Sequence, residues 1–244
     1  MNEIELFRTA SIETSSFCNR TCETCIRNSY PNKKRIAPWH ELHNHLPMKT
    51  IFEIGYQLRD VGFKENICLS HYNEPLLDHR LDKIIEHFKS LGCFRNIYFH
   101  TNGDFMNQDW ADRLDGLADK IIVSLYMEKK TERIEWIKSL FKKTFIDYTD
   151  GGHITSHYSP RENLKAKIAE HVPTECKIPI TTMIINHRAQ YLLCCEDVVG
   201  RFNLGTFPRP SIEHYWYGNR HVEIINTLVA NGRRNYQYCK ICPR

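Results

Sequence analysis

An alternation of short apolar segments with amphipathic ones over residues 9 to 150 constrains the fold of this chain most strongly. The predicted strands are Thr9–Ser16, Asn66–Ser70, Asn96–Asn102 and Lys120–Tyr126, with Thr144–Tyr148 and Ile154–His157 as weaker candidates. The predicted helices are Lys49–Val61, Leu81–Leu91, Gln108–Leu117 and Lys130–Phe141. Strands that alternate with helices pair in parallel through right-handed crossovers. We therefore expect an α/β fold, built on an open sheet or on a whole or partial (β/α) barrel.

The alternation ends near residue 151, and the rest of the chain predicts a smaller module. Thr182–Asn186 and Gln190–Cys194 predict a β-hairpin, and Ser211 is placed to cap a helix that runs to about Ala230. We therefore divide the chain into a first domain, residues 1–150, and a small C-terminal domain, residues 151–244.

The cysteine content restricts the chemistry of the chain. Ten of the 244 residues are cysteine, and the N-terminal sequence has no apolar signal-peptide core. No segment approaches the roughly 20 apolar residues of a membrane span, so we expect a cytoplasmic protein whose thiols stay reduced. Metal or cluster ligation is then the leading explanation for the cysteines. The net charge is +4, and the basic residues are scattered in short runs, which do not indicate nucleic-acid binding.

Three cysteines form a compact motif directly after the first predicted strand. Cys18, Cys22 and Cys25 have the spacing C-x₃-C-x₂-C. Three thiolates in one loop can hold three corners of an Fe₄S₄ cube and leave the fourth iron open. An open coordination position is typical of a reactive centre. A zinc site would need a fourth ligand close by.

This motif, placed after the first strand of an α/β domain, resembles the signature of the radical S-adenosylmethionine (radical SAM) superfamily. The resemblance implies a partial TIM-like barrel, a [4Fe–4S] cluster on Cys18, Cys22 and Cys25, and S-adenosyl-L-methionine bound at the open iron. It also implies cleavage of that cofactor to a 5′-deoxyadenosyl radical, which abstracts hydrogen from a substrate. One position departs from the family pattern, because Thr24 stands where an aromatic residue is usual.

Further segments agree with the resemblance. Asn73 and Glu74 lie in a segment similar to the family's G-E-P-L, with Asn73 in place of glycine; Glu74 is implied to meet the methionine amino group. Asn102 lies in a T-N-G segment, and Ser124 begins an S-L pair on the fourth strand. These four residues, each near the C-terminal end of a predicted strand, are the predicted cofactor-binding residues.

Four further cysteines are grouped in the C-terminal part. Cys176, Cys194, Cys239 and Cys242 could ligate a second Fe₄S₄ cube or a zinc ion. Their arrangement resembles the twitch domain, a shortened SPASM domain that carries one auxiliary [4Fe–4S] cluster. Cys195 is surplus to this count, and a buried free cysteine commonly packs as a small hydrophobe.

A fully ligated auxiliary cluster suits electron transfer, which favours a net two-electron dehydrogenation by an oxidoreductase. The size and cysteine spacing are similar to those of twitch-bearing dehydrogenases that oxidise an aminocyclitol alcohol in aminoglycoside biosynthesis. The expected partners are a small-molecule or peptide substrate and a flavodoxin- or ferredoxin-type electron donor. Two alternatives remain: a peptide-modifying radical SAM maturase, and a zinc-binding structural or nucleic-acid-binding protein.

A dehydrogenation also requires a base for the departing proton. The residues considered for this role, none of which we assign from sequence, are His71, Tyr72, His100, Tyr126, His153 and His157.

Overall fold

The computed structural model of this chain describes residues 4–22, 25, 44–126, 130–150, 176–197 and 200–240. Its strands are β1 Thr9–Ile12, β2 Asn66–Cys68, β3 Asn96–Thr101, β4 Lys120–Leu125, β5 Phe145–Asp150, β6 Thr182–Ile185 and β7 Tyr191–Leu192. Its α-helices are α1 Met48–Asp60, α2 Leu81–Ser90, α3 Gln108–Leu114, α4 Lys130–Leu140, α5 Ile178–Thr181, α6 Ile212–Trp216, α7 Asn219–Asn231 and α8 Gln237–Lys240. Short 3₁₀ turns span Pro75–Leu77 and Gly232–Asn235.

All seven strands belong to one open sheet in the order β5-β4-β3-β2-β1-β6-β7. Neighbouring strands are parallel except for β6 and β7, which form the predicted antiparallel hairpin. The predicted α/β class, with the sheet of a partial barrel, is confirmed.

The two-residue period of the strands separates the two faces of this sheet. In β1, Ala10 and Ile12 are fully buried in the hydrophobic core, whereas Ser11 lines an open cavity on the other face. In β3, Tyr98 and His100 line the same cavity, while the alternating residues Ile97 and Phe99 enter the core. The cavity face of the sheet is therefore polar and the opposite face apolar.

The helices that connect the strands cover the apolar face. Helix α2 shows why its sequence is helical: Leu81, Ile84, Ile85 and Phe88 recur at helical spacing, and all four are fully buried. Helix α1 packs beside it. None of the helices in the described ranges combines the length and apolar composition that a membrane crossing requires.

The element bounds differ from the predictions in two informative places. The weaker candidate Thr144–Tyr148 is a full edge strand, Phe145–Asp150, paired in parallel with β4. The other weak candidate, Ile154–His157, lies outside the described residues. The proposed domain boundary directly follows Asp150, the last residue of β5, and remains a prediction; β6 of the C-terminal part pairs directly with β1.

The prediction of one continuous helix from Ser211 to about Ala230 is wrong. Ser211 does cap a helix, since its side chain accepts from the backbone N–H of His214, but that helix ends at Trp216. The chain then takes an extended conformation at Gly218, which begins α7. A side chain at Gly218 would place its Cβ 2.2 Å from the His214 carbonyl oxygen, so glycine permits this tight turn between two helices.

Candidate active site

The three cysteines of the C-x₃-C-x₂-C motif lie on the loop that follows β1. Cys18, Cys22 and Cys25 are half-buried and line one cavity of about 440 Å³ on the polar face of the sheet. The backbone N–H of Cys25 donates to the carbonyl oxygen of Cys22 at 3.1 Å. Three thiols on one cavity fit the donor set of an iron–sulfur cluster with one open corner.

A charged pair holds this cysteine loop against the loop that follows β3. Arg20 Nε and Nη2 donate to the two carboxylate oxygens of Asp104 at 2.7 and 2.5 Å, and Asn19 Nδ2 donates to the same carboxylate at 2.7 Å. Burial opposes ionisation of Asp104, but the hydrogen bonds and charge of Arg20 outweigh it and hold its pKa below the ordinary value. A two-pronged ion pair fixes geometry as well as adding stability, so it gives the loop a defined position.

The T-N-G segment takes part in the same contact. Asn102 Nδ2 donates to Asn19 Oδ1 at 2.8 Å, and Asn102 Oδ1 accepts from the backbone N–H of Asp104 at 2.9 Å. Gly103 has a φ of 74°, and a Cβ there would lie 2.9 Å from Val123 Cγ1. Glycine is therefore required for the turn that brings Asn102 to the cysteine loop.

Tyr126, at the end of β4, faces the cysteines across the cavity. The guanidinium carbon of Arg20 lies 5.2 Å from the centre of its ring, a cation–π contact. Burial and the charges of the nearby cysteines raise the pKa of Tyr126 to about 12. A phenol that stays protonated donates hydrogen bonds, which argues against Tyr126 as the proton acceptor.

Glu74 lies buried between the loop after β2 and the end of β3. Its Oε1 accepts from the Thr101 hydroxyl at 2.6 Å and from the backbone N–H of Leu76 at 3.0 Å, and its Oε2 accepts from the backbone N–H of Asn102 at 2.7 Å. Burial outweighs these hydrogen bonds and raises the pKa of Glu74 to about 7. A ligand that presents an N–H group to the cavity would shift this balance towards the carboxylate.

The four predicted cofactor-binding residues are brought together in space. Glu74, Asn73, Asn102 and Ser124 all line the cavity that holds the three cysteines. Asn73 is buried and accepts from the backbone N–H of His71 at 3.0 Å. Ser124 is half-buried, with its hydroxyl 3.3 Å from that of Thr149. Their contacts with a cofactor remain a prediction.

The sheet contributes a hydroxyl-rich lining to the same cavity. The hydroxyl-bearing residues on or directly beside its strands include Thr9, Ser11, Ser70, Tyr98, Thr101, Ser124 and Thr182. Ser11 Oγ donates to the Ser70 carbonyl oxygen at 3.0 Å, and Ser70 Oγ accepts from the backbone N–H of His100 at 2.9 Å. Such a lining suits a small ligand that itself carries many hydroxyl or amino groups.

Glu13 directly follows β1 and joins two other segments at the cavity wall. Its Oε2 lies 2.7 Å from His187 Nδ1 and accepts from the backbone N–H of His187 at 3.1 Å, while its Oε1 accepts from the backbone N–H of Tyr72 at 3.2 Å. Burial alone would raise the pKa of Glu13, but the hydrogen bonds and charge of His187 hold it below the ordinary value. The pair therefore joins the turn of the β6–β7 hairpin to the residue that follows β1.

Of the residues considered as a base, four line the cavity: His71, Tyr72, His100 and Tyr126. His153 and His157 lie outside the described residues. Cys68 is buried and lines the cavity, and Cys93 is half-buried on the connection before β3, at the opposite end of the strands.

Three of the four C-terminal cysteines line a second cavity, of only about 30 Å³. Cys176, Cys194 and Cys239 are all half-buried around it. Apolar side chains, including Phe202 and Leu228, close the space between them. Cys242 lies outside the described residues, so the fourth predicted ligand remains a prediction. Together with the predicted Cys242, the three thiols on this small, largely apolar cavity would supply the four protein ligands of a fully ligated cluster.

The loop that carries Cys194 is shaped by a buried carboxylate. Asp197 accepts from the backbone N–H of Arg201 at 2.7 Å and of Leu193 at 3.3 Å, and its own N–H donates to the Cys194 carbonyl oxygen at 3.0 Å.

Within the parts of the chain that the structure describes, no three cysteine, histidine or carboxylate side chains converge closely enough to hold a single metal ion.

Comparison with known proteins gives relatives in sequence and in fold. No family model matches the chain. A curated protein of Niallia circulans, the S-adenosyl-L-methionine-dependent 2-deoxy-scyllo-inosamine dehydrogenase, is 25% identical over 98% of this chain and 93% of its own length.

Two solved structures share the fold over almost the whole chain. BtrN in complex with AdoMet and 2-DOIA superposes with a TM-score of 0.80 and 22% identity, covering 99% of this chain and 95% of that one. The structure of anSMEcpe with bound AdoMet superposes with a TM-score of 0.61 and 11% identity, covering 96% of this chain and 88% of that one. The predicted resemblance to radical SAM enzymes is confirmed. The zinc-binding structural or nucleic-acid-binding alternative is not favoured by these relatives.

Sequence reasoning located the cysteines and the polar segments but missed the contacts that position them. Glu13 and His187 are separated by 174 positions, and no periodicity links them. The available signals were an acidic residue at the end of an apolar strand, for Glu13, and one directly after T-N-G, for Asp104.

Proposed function

We propose that this chain is a radical SAM dehydrogenase that oxidises a secondary alcohol of a small polyol or aminocyclitol. One observation carries the proposal: Cys18, Cys22 and Cys25 line the same cavity as the four predicted cofactor-binding residues and a hydroxyl-rich floor. A cluster ligand set, a cofactor pocket and room for a small polar substrate are thereby combined in one space.

The residues of the chain have distinct roles in this scheme. Cys18, Cys22 and Cys25 would hold a [4Fe–4S] cluster, which would supply the electron that cleaves S-adenosyl-L-methionine when both are bound. Glu74, which lines the same cavity, would accept a hydrogen bond from the methionine amino group. Asn73, Asn102 and Ser124 orient the rest of the cofactor. Arg20 and Asp104 keep the cysteine loop in position, so little reorganisation is required on binding.

The nature of the substrate follows from the cavity lining and from the relatives. A volume of about 440 Å³ lies within the usual range of small-molecule sites, and hydroxyl groups line its floor. The curated relative is named for dehydrogenation of 2-deoxy-scyllo-inosamine, and the BtrN structure contains 2-DOIA. These facts support a compact, many-hydroxyl substrate over a long apolar one.

The second cysteine set completes a two-electron oxidation. We assign Cys176, Cys194, Cys239 and Cys242 to an auxiliary [4Fe–4S] cluster that accepts the second electron. Reduction of the first cluster requires a donor of the flavodoxin or ferredoxin type, and both clusters require the reducing conditions of the cytoplasm.

Anaerobic turnover with labelled substrates tests the proposal. Reconstituted protein is incubated with reductant, S-adenosyl-L-methionine and a panel of polyols and aminocyclitols deuterated at each carbinol carbon. We expect deuterium in 5′-deoxyadenosine and a ketone three mass units lighter than the deuterated alcohol from which it forms. Deuterium transfer only from a peptide panel would favour the maturase alternative, and no 5′-deoxyadenosine with any substrate would contradict the proposal.

A further inference from the structure

Two consecutive cysteines line two different cavities. Cys195 lines the cavity that holds Cys18, Cys22 and Cys25, which we call the catalytic cavity, and Cys194 lines the small C-terminal cavity. A second pair repeats this pattern, since Ile178 lines the catalytic cavity and Pro179 the small one. These two dipeptides therefore form part of the partition between the cavities.

A hydrogen bond joins the Cys194–Cys195 dipeptide to a residue that lines the catalytic cavity. The Tyr72 hydroxyl donates to the backbone carbonyl oxygen of Cys195, and Tyr72 lines the catalytic cavity. The backbone N–H of Tyr72 donates to Glu13, whose carboxylate also holds His187 on the adjoining hairpin. The Tyr72 hydroxyl thus contacts the C-terminal part of the chain directly, and its backbone N–H is linked to that part through Glu13.

We infer that the Cys194–Cys195 peptide, positioned by the Tyr72 hydroxyl, is the contact across which the substrate-derived electron leaves the catalytic cavity. Cys194 is the cluster ligand of the pair, and Cys195 is a wall of the substrate cavity. This inference rests on the proposed function. Electron transfer slows steeply with distance, and this dipeptide lines both cavities.

The oxidation balances across this partition. With S-adenosyl-L-methionine bound, the carbinol hydrogen atom would pass to its 5′-deoxyadenosyl radical, which would become 5′-deoxyadenosine. The remaining substrate radical would lose its hydroxyl proton to a base and one electron to the oxidised cluster that Cys194 would help to hold, so that CH–OH becomes C=O. Tyr72 is a positioning residue in this step, because it acts through the backbone of Cys195.

Iron content tests the assignment of the two cysteines without any assay of turnover. We expect reconstituted Cys195→Ala to retain the iron and sulfide of the parent, and Cys194→Ala to lose about half of both. Cys194→Ser, which preserves volume but offers iron a poorer ligand, serves the same comparison if the alanine variant does not fold. Loss of iron from Cys195→Ala equal to that from the Cys194 variant would overturn the assignment.

The coupling ratio tests the role of Tyr72. We expect Tyr72→Phe to lower the product formed per 5′-deoxyadenosine by about two- to tenfold, the factor that loss of one hydrogen bond typically gives. The control is Tyr191→Phe, which removes a tyrosine hydroxyl that donates to the Pro210 carbonyl oxygen at 3.1 Å in the adjoining hairpin. That variant should keep the parental ratio.

The outcomes separate this inference from the proposed function. A role of Tyr72 in cofactor binding alone would change the KM for S-adenosyl-L-methionine and leave the ratio intact, which would overturn the inference. A parent chain that forms no 5′-deoxyadenosine, or that binds iron for only one cluster, would instead overturn the proposed function.

Discussion

The catalytic cavity encloses about 440 Å³ beside three cysteines, whereas the cavity beside Cys176, Cys194 and Cys239 encloses about 30 Å³. Polar side chains from the strands line the first, and apolar side chains close much of the second. Both present the same thiol donors. The comparison teaches that the packing around the cysteines differs as well as their predicted number, and both distinguish a centre that can admit a ligand from one that cannot.

The largest expected effect comes from removing a cysteine of the open cavity. Cys22→Ala should lower the rate of 5′-deoxyadenosine formation by at least about a hundredfold, because a cluster with two protein ligands cannot present an ordered open iron. The matched control is Cys93→Ala, at the opposite end of the strands. Quantification of 5′-deoxyadenosine under anaerobic conditions makes the measurement. Equal rates in the two variants would remove the distinction between the cavities.

Removing a cysteine of the small C-terminal cavity should give a different pattern. Cys239→Ala should lose about half of the iron and form about tenfold less ketone, while still cleaving S-adenosyl-L-methionine at the open cavity. Loss of a structural ligand should also lower the Tm. Iron analysis, the ratio of ketone to 5′-deoxyadenosine and thermal unfolding measure the three effects. A variant that makes ketone as the parent does would show that the second cavity has no part in oxidation.

Titration of Glu74 offers a smaller effect that belongs to the open cavity alone. The pKa of Glu74 in the folded protein is about 7, and we expect the carboxylate form to bind the methionine amino group. Affinity for S-adenosyl-L-methionine should therefore rise with pH and fall by up to about tenfold per unit below pH 7. Calorimetric titration from pH 5.5 to 8.5 measures it, and Glu74→Gln should lack the dependence.

The same group also affects stability, in the opposite direction. Because its folded-state pKa is raised from 4.5 to about 7, the cofactor-free folded chain binds this proton more tightly than the unfolded chain does. The contribution of Glu74 to the free energy of unfolding is present at low pH and is lost as the pH rises from about 4.5 to 7. A difference between parent and Glu74→Gln that stays constant over this range would show that burial does not perturb Glu74.

The smallest expected effect concerns the clamp on the cysteine loop. Asp104→Asn should slow S-adenosyl-L-methionine cleavage by about three- to tenfold, since Arg20 then loses its charged partner and the loop its fixed position. Asp82→Asn breaks a comparable ion pair with Arg113, at 2.9 Å, away from the cavity. Both variants should lose about 1 kcal/mol of stability. An equal slowing in both would mean that the clamp serves stability only.

The elements that carry a local period were predictable from the sequence. Helix α2 presents four buried residues at helical spacing, and β1 to β4 were all located within a few residues. The cavity residues followed too, because parallel strands bring their C-terminal ends to one edge. What stayed hidden depends on long-range pairing: Glu13 meets His187 only because β6 pairs with β1. The break at Gly218 was missed because one glycine within an apolar pattern does not by itself end a helix.

Electron paramagnetic resonance of the anaerobically reconstituted and reduced protein tests the central claim most directly. We predict that adding S-adenosyl-L-methionine changes the signal of the cluster held by Cys18, Cys22 and Cys25. In Cys22→Ala the remaining signal comes from the cluster of the small C-terminal cavity. That signal should not change when S-adenosyl-L-methionine is added. A parental signal that stays unchanged on addition would contradict the account of an open iron in the catalytic cavity.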